Sequence, residues 1–229
     1  MEVISVIPAR GGSKGIKNKN LKLLDGKPLI QYSIENCLSS NLINRVYVST
    51  DDKDIEEKSL EIGAKIIKRP PEISGDKASS EAALLHALDY LNNFKNYRPD
   101  YLVFVQCTSP LIKTIDIDNA IDNIITNKSD VCHIVTPFHG FLWESDKNQK
   151  FIGINHDLDE RKRRQDLSPQ YLETGAIYVM RVDGFLKTKN RFFGNITYTE
   201  VPIERSIEIN EMYEFEIAEF LIRKSNRIK

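Results

Sequence analysis

Short apolar runs alternate along this chain with segments whose apolar residues recur at helical spacing. The runs Val3 to Ile7, Arg45 to Ser49 and Tyr101 to Val105 have the length and β-branched content of strands, and the last is nearly all apolar, as in a buried parallel strand. Because strands separated by helices form βαβ units, the pattern predicts an α/β fold with a mainly parallel sheet and helices on both faces. Further strands are predicted at 64–67, 131–135, 176–180 and 197–203, and helices at 29–38, 55–62, 79–91, 115–125 and 211–223.

The alternation changes after Pro137. Residues 140–170 contain the only tryptophan, Trp143, an Asp-Lys-Asn turn at 146–148 and a basic run at 161–164. These features predict an inserted hairpin and arm at about 138–172. No internal repeat or low-complexity linker interrupts the chain, so residues 1–229 are interpreted as a single domain that carries this arm.

Composition argues against several classes of protein. The chain has 32 Lys and Arg against 33 Asp and Glu, whereas a dedicated nucleic-acid binder usually carries a basic excess. No apolar run approaches the roughly 20 residues of a membrane span, so we expect no membrane partner. The three cysteines, Cys37, Cys107 and Cys132, fit neither a disulfide framework nor a zinc pattern, which favours the reducing cytoplasm.

The segment after the first strand is the strongest candidate for chemistry. Residues 8–22 read Pro-Ala-Arg-Gly-Gly-Ser-Lys-Gly-Ile-Lys-Asn-Lys-Asn-Leu-Lys, with five cations and no acid. Glycines let backbone N–H groups approach an anion, and open α/β sheets bind ligands beyond the carboxyl ends of their strands. The segment therefore predicts a polyphosphate site, although it fits neither the Walker A motif nor the dinucleotide fingerprint. The alternative is a solvated basic turn.

This segment and several later motifs, taken in order, resemble the acylneuraminate cytidylyltransferases (CMP-sialic acid synthetases). The later motifs are Ser49-Thr-Asp-Asp, Arg69-Pro-Pro-Glu with Asp76-Lys-Ala-Ser-Ser, Gln106-Cys-Thr-Ser-Pro-Leu and Gly175-Ala-Ile-Tyr. The resemblance covers most of the chain and implies a Rossmann-like nucleotidyltransferase fold, a homodimer joined through the arm, and the use of CTP and Mg²⁺. The reaction it implies transfers CMP from CTP to the anomeric hydroxyl of a nonulosonic acid, an acidic α-keto sugar of sialic, legionaminic or pseudaminic type, and releases pyrophosphate.

The same resemblance implies roles for individual residues. The catalytic candidates are Arg10, Lys14, Lys19 and Glu208, and the two lysines are expected to neutralise charge on the leaving pyrophosphate. The nucleotide-binding candidates are Ala9, Arg10, Gly11, Gly12, Ser13, Asn20, Arg69, Ser79 and Ser80. Either of the two serines could instead cap the following helix. The acceptor-binding candidates are Gln106, Thr108, Arg164, acting within its own subunit or across the dimer, and Tyr178, for which core packing is the alternative.

The expected metal site departs from the family pattern. Where relatives carry Ser-Ile-Asp-Ile-Asp, this chain reads Ser206-Ile-Glu-Ile-Asn, so Glu208 and Asn210 stand in place of two metal-binding aspartates. Both offer oxygen, and alternation along a strand would place them on one face. The lost charge predicts a weaker or altered Mg²⁺ site, for which Glu211 and Asp51 are possible substitutes.

The departures leave two alternatives open. Changes at 143, 172–174 and 208–210 would also suit a cytidylyltransferase for another acceptor, such as an eight-carbon keto sugar acid or a sugar phosphate. The loss of an aspartate at 210 would also suit a catalytically degenerate nucleotide-binding homologue.

Overall fold

The structure is a computed structural model that describes residues 1–13, 15–160 and 162–227, with only the backbone described for Arg164 and Arg227. The strands are β1 Val3–Pro8, β2 Leu23–Leu24, β3 Lys27–Pro28, β4 Arg45–Thr50, β5 Lys65–Lys68, β6 Tyr101–Val105, β7 Val131–Phe138, β8 Trp143–Ser145, β9 Phe151–Gly153, β10 Gln170–Arg181 and β11 Ile196–Glu200. The helices are α1 Leu29–Leu38, α2 Lys53–Ile62, α3 Ser80–Lys95, α4 Thr114–Thr126, α5 Val182–Thr188 and α6 Met212–Arg227.

Seven strands form one central sheet in the order β11-β7-β10-β6-β1-β4-β5. Neighbouring strands are parallel except at β10, which is antiparallel to both β6 and β7. The prediction of a mainly parallel sheet is therefore confirmed, with one reversed strand. The reversal follows from the connection, because the chain leaves β7 into the arm and returns directly, without the crossover helix that a parallel neighbour requires.

Helices cover both faces of the sheet, as predicted. Along β1 the side chains alternate, so that Val3 and Ile7 face one side while Ile4 and Val6 face the other. Helices α1, α2 and α4 pack on the first side, and α3 and α5 pack on the second. Helix α6 packs on a third cluster, around Ile209, next to the loop after β1.

Three local features differ from the sequence prediction. Residues 206–210 form no strand in the described chain. Their backbone bonds instead to the loop after β6, where the Ile209 N–H donates to the Thr108 carbonyl over 2.8 Å. The hairpin of β2 and β3 and the seven-residue helix α5 were not predicted. They are too short for apolar periodicity to reveal them.

The segment predicted as an arm contains the β8–β9 hairpin. Its turn is closed by Asp146, whose carboxylate accepts from the N–H groups of Asn148 and Lys150, each over 2.8 Å. Each helix of the described residues is too short or too polar to span a bilayer.

Candidate active site

A cleft of about 350 Å³ opens beyond the carboxyl ends of β1 and β6. Its lining brings together the loop after β1, the loop after β6, the start of α3 and the segment before α6. The predicted site residues that line it are Arg10, Ser13, Lys19, Asn20, Ser80, Gln106, Thr108 and Asn210. Residues up to two hundred positions apart in the sequence thus meet at one end of the sheet.

The loop after β1 is supported from behind by neighbouring segments. The Gly11 N–H donates to Asp51 Oδ1 over 3.2 Å, and a Cβ at Gly11 would collide with the Asp52 side chain. A Cβ at Gly15 would likewise collide with the backbone carbonyl of Asn210. Glycine is therefore required at 11 and 15 for close packing, whereas Gly12 faces open space.

Arg10 stands at the mouth of the cleft, between two loops. Its carbonyl accepts from Asn20 Nδ2 over 3.0 Å, which fixes the course of the backbone. Its guanidinium Nη1 lies 2.7 Å from Asp76 Oδ1, in the loop before α3. Asn20 is buried and also accepts from the Cys107 thiol over 3.0 Å, so this residue connects the two loops rather than facing solvent.

Lys19 is held by the segment before α6. Its Nζ donates to the Ile209 carbonyl over 2.8 Å, and its charge lies close enough to Glu208 to favour the ionised carboxylate. This tether leaves further N–H donors of the ammonium group for an anion in the cleft. Lys14, the other predicted lysine, lies outside the described residues.

Three predicted nucleotide contacts are engaged by neighbouring protein groups. Arg69 is 8% exposed, its guanidinium donates to the carbonyl of Ser49 over 2.6 Å, and burial lowers its pKa. Ser79 caps α3, where its Oγ accepts from the Ala82 N–H over 3.1 Å. Ser79 is therefore the cap, and Ser80 is the serine that lines the cleft. Ala9 is buried, and its N–H is bonded to Ser49.

A bulge in β10 lies behind Gln106, one of the residues that line the cleft. The pairing with β7 shifts register between Glu173 and Tyr178, and Gly175 lies in the shifted stretch with φ of +71°. Its carbonyl accepts from Gln106 Nε2, and a Cβ there would lie 3.2 Å from both Gln106 Nε2 and Glu208 Oε2. Only glycine combines this backbone conformation with so close an approach. Tyr178 itself is 2% exposed, so its ring packs in the core.

Glu208 and Asn210 do face the same way, although their segment is not a strand. Ile209 between them is buried, while Glu208 accepts hydrogen bonds from Thr108 and from the Asn210 side chain. Burial raises the pKa of Glu208 above its ordinary value. Arg164 begins a short 3₁₀ turn in the arm, and its side chain lies outside what the structure describes.

The donor set can be tested against Mg²⁺. Within the described residues, no three His, Cys, Asp or Glu side chains are grouped so as to hold a metal ion. Mg²⁺ commonly retains water and binds through one or two carboxylates together with substrate phosphates. The carboxylate of Glu208 and the amide oxygen of Asn210 therefore fit a metal ion completed by a bound triphosphate, not a preformed protein cage.

Several residues of the cleft carried little or no signal in the sequence. Phe104 lines the cleft floor but does not stand out in composition or spacing. Asp76 begins one of the family-like motifs, but nothing in the sequence indicated its bridge to Arg10. Glu211 lines the cleft beside Gly15, and Asp51 supports Gly11, whereas the sequence indicated both only as possible substitutes in the Mg²⁺ site. The glycine in Gly175-Ala-Ile-Tyr was visible, but the bulge that requires it was not.

Comparison with known proteins gives a family for the whole chain. The model of the cytidylyltransferase family matches residues 4–226. The chain is 32% identical to a pseudaminic acid cytidylyltransferase of Campylobacter jejuni over 97% of each protein. It is 33% identical to N-acylneuraminate cytidylyltransferase A of Danio rerio, and 30% identical to the N-acylneuraminate cytidylyltransferase of Escherichia coli. It covers 50% and 54% of those two proteins, and so spans about half their length.

Solved structures show the same fold. A CMP:2-keto-3-deoxy-manno-octonic acid synthetase complexed with CTP superposes with a TM-score of 0.75 at 18% identity, over 98% of this chain and 100% of that one. A 4-diphosphocytidyl-2C-methyl-D-erythritol synthase from Anaerococcus prevotii superposes with a TM-score of 0.68 at 10% identity, over 97% and 98% of the two chains. The predicted Rossmann-like nucleotidyltransferase fold is thereby confirmed. With a family model matched along nearly its whole length, the chain belongs to the cytidylyltransferase family.

Proposed function

We propose that the protein transfers CMP from CTP to the anomeric hydroxyl of a nonulosonic acid and releases pyrophosphate. The observation that carries this proposal is the cleft itself. A glycine-rich cationic loop after β1 and an amide side chain after β6, Gln106, line the same cavity. Relatives named for pseudaminic acid and N-acylneuraminate, at 32% and 30–33% identity, support an acidic nine-carbon sugar as the acceptor.

The cationic loop would hold the triphosphate and take up charge as the reaction proceeds. Arg10, Ser13 and Lys19 line the cleft where phosphate oxygens would lie. Negative charge develops on the leaving pyrophosphate, and a cation fixed before the reaction stabilises it without reorganisation. Because Lys19 is already tethered to the Ile209 carbonyl, its ammonium group meets this requirement.

The opposite wall would orient the acceptor. Gln106 Nε2 is committed to the Gly175 carbonyl, so the amide is fixed and its oxygen can accept from a sugar hydroxyl. Fixing the acceptor beside the α-phosphate converts an encounter in solution into a reaction within one complex. The Glu173–Tyr178 bulge is thus part of the acceptor wall.

Glu208 and Asn210 would hold Mg²⁺, which would supply positive charge to the triphosphate when bound. Thr108, which lines the cleft, donates a hydrogen bond to the Glu208 carboxylate. Since burial raises the pKa of Glu208, the nearby Lys19 charge helps to keep it ionised.

The arm would join two copies of the chain. It exposes an unusual number of large apolar side chains for a small hairpin, namely Leu142, Trp143, Phe151, Ile152, Ile154 and Leu158. A homodimer would cover them, and light scattering should then give twice the mass of the chain. The three cysteines are free and buried, which supports a reducing cytoplasmic location.

The test is turnover with defined substrates. The protein is incubated with CTP, Mg²⁺ and one acid sugar at a time, with ATP, GTP and UTP as nucleotide controls, and pyrophosphate and CMP-sugar are measured. We expect both products with CTP and an N-acylneuraminate or pseudaminic acid. Turnover only with an eight-carbon keto acid would mean that this acid, and not a nonulosonic acid, is the acceptor. CTP binding without turnover of any acid would contradict the proposal.

A further inference from the structure

The two sides of the cleft differ in which part of the substrates they can take. In the sheet, β6 lies between β1 and β10. The loop after β1 carries the cations suited to triphosphate, so the acceptor approaches from the β10 side of Gln106. Polar groups at that end of β10 are therefore candidates for recognising the acceptor.

A row of rings connects the cleft floor to β10. Phe104, Tyr178 and His133 lie opposite one another on β6, β10 and β7. The Tyr178 ring stacks on Phe104 with 5.5 Å between centroids, and Phe104 lines the cleft. The Tyr178 hydroxyl donates to the carboxylate of Glu173, at the other end of the bulge. The Tyr178 ring therefore lies between the Glu173 carboxylate and Phe104, which lines the cleft.

The charge of Glu173 is not neutralised by a neighbouring cation. Glu173 is exposed, and within the described residues its carboxylate forms no ion pair. Arg191 lies over the Tyr178 ring at 4.8 Å, but its guanidinium is paired with Glu81 over 2.6 Å. Tyr178 occupies one carboxylate oxygen, which leaves the second for a ligand.

An ionised carboxylate only accepts hydrogen bonds, so it selects donors. It also repels the carboxylate of an acid sugar, which would turn that end of the acceptor away from β10. We propose that Glu173 determines acceptor specificity by accepting a hydrogen bond from an acylamino N–H of the sugar. This inference rests on the proposed function, because it assumes an acid sugar in the cleft.

The test compares two acids in a variant that keeps the local fold. In Glu173→Gln the amide oxygen still accepts from the Tyr178 hydroxyl, while the charge is lost. We measure kcat and KM for an N-acylneuraminate and for 2-keto-3-deoxy-manno-octonic acid, which lacks nitrogen, using its inhibition constant if it is not turned over. A hydrogen bond to a charged group is worth roughly 10- to 100-fold in binding. We expect KM for the N-acyl acid to rise by about 10-fold or more, with kcat and CTP affinity within about twofold, and the nitrogen-free acid to be little affected.

Two further variants separate recognition from structural support. Glu200→Gln is the matched control, because Glu200 pairs with the same β7 residue as Glu173, Val135, but from the strand on the far side of β7. This variant should leave kcat and KM unchanged for both acids. Tyr178→Phe keeps the carboxylate but removes the hydroxyl that holds it, so KM for the N-acyl acid should rise by less than in Glu173→Gln, with the nitrogen-free acid little affected. An equal loss for both acids in Glu173→Gln, or no loss, would overturn the inference. If the unmodified protein turned over no acid at all, the proposed function would fail first.

Discussion

The two walls of the cleft are built in different ways. The wall proposed to hold the triphosphate comes from one continuous segment, residues 8–20, with cations and glycines close together in the chain. The wall proposed to hold the acceptor is assembled from Gln106, the bulge at Gly175 and the segment around Glu208, which meet only in the fold. A triphosphate requires charge, which a local loop can supply, whereas a sugar requires shape, which needs distant parts of the chain.

Substitutions in the cationic wall should lower kcat more than they lower the affinity for CTP. Removing one preorganised group that stabilises developing charge typically costs 100- to 1,000-fold in rate. Lys19→Ala should therefore lower kcat by about 100- to 1,000-fold while CTP affinity falls much less, as measured by steady-state kinetics and calorimetry. Lys17→Ala, an exposed cation of the same loop, should leave kcat within about twofold, as expected for a surface change. Equal effects of the two variants would mean that the loop contributes only general positive charge.

A substitution in the bulge should impair the use of the acceptor. Gly175→Ala adds a Cβ 3.2 Å from Gln106 Nε2 and Glu208 Oε2 at a backbone φ of +71°. We expect kcat/KM for the acceptor to fall by about 10- to 100-fold, because a misplaced positioning group costs this much, while CTP affinity is retained. Gly26→Ala is the matched control, since Gly26 has a φ of +81° but open space around it. If that control lost acceptor turnover equally, general backbone strain would account for the effect.

The bridge between Arg10 and Asp76 should compete with the nucleotide. Both side chains are partly exposed, at 31% and 45%, so the pair is worth little and a triphosphate can displace Asp76. Asp76→Asn should tighten CTP binding by about two- to fivefold, measured by calorimetry at two salt concentrations. Asp183→Asn, which removes an exposed partner of Arg181, should have no such effect. Weaker CTP binding in Asp76→Asn would instead mean that Asp76 holds Arg10 in its binding position.

Cys107 lines the cleft between the two walls, and its substitution should have the smallest effect on activity. Burial raises the pKa of its thiol to about 11, so at neutral pH it is protonated and a poor nucleophile. Cys107→Ser keeps a donor for Asn20 and should retain activity within about twofold. Alkylation of the native protein at neutral pH should likewise leave CTP turnover intact. Rapid inactivation that the serine variant escapes would place the thiol in the chemistry.

The sequence predicted the local features of this protein better than the distant ones. The strand and helix order, the cap at the start of α3 and the cationic loop all follow from residues that are neighbours in the chain. The reversal of β10 could not be predicted, because it depends on how the arm returns to the sheet. Glu208 and Asn210 do lie together, joined by a side-chain hydrogen bond, but the strand proposed to bring them together was wrong.

In the candidate site, too, local features were predicted from the sequence and distant contacts were not. Residue types alone indicated the cationic loop as a phosphate site, and the resemblance to the family singled out Arg10 and Lys19 within it. The same reasoning did not reveal that Gly11 and Gly15 are fixed by neighbouring carboxylate and carbonyl groups rather than by an anion alone. Close packing of this kind depends on segments about 40 and 200 residues away, which no local pattern records.

The most direct test of the account is a crystal structure with CTP and Mg²⁺ at saturating concentration. We expect the triphosphate against Arg10, Ser13 and Lys19, with the α-phosphorus directed towards Gln106 and a space for the acceptor beside the β10 bulge. A nucleotide whose phosphates lay on the β10 side, or a cationic loop left empty, would contradict the assignment of the two walls.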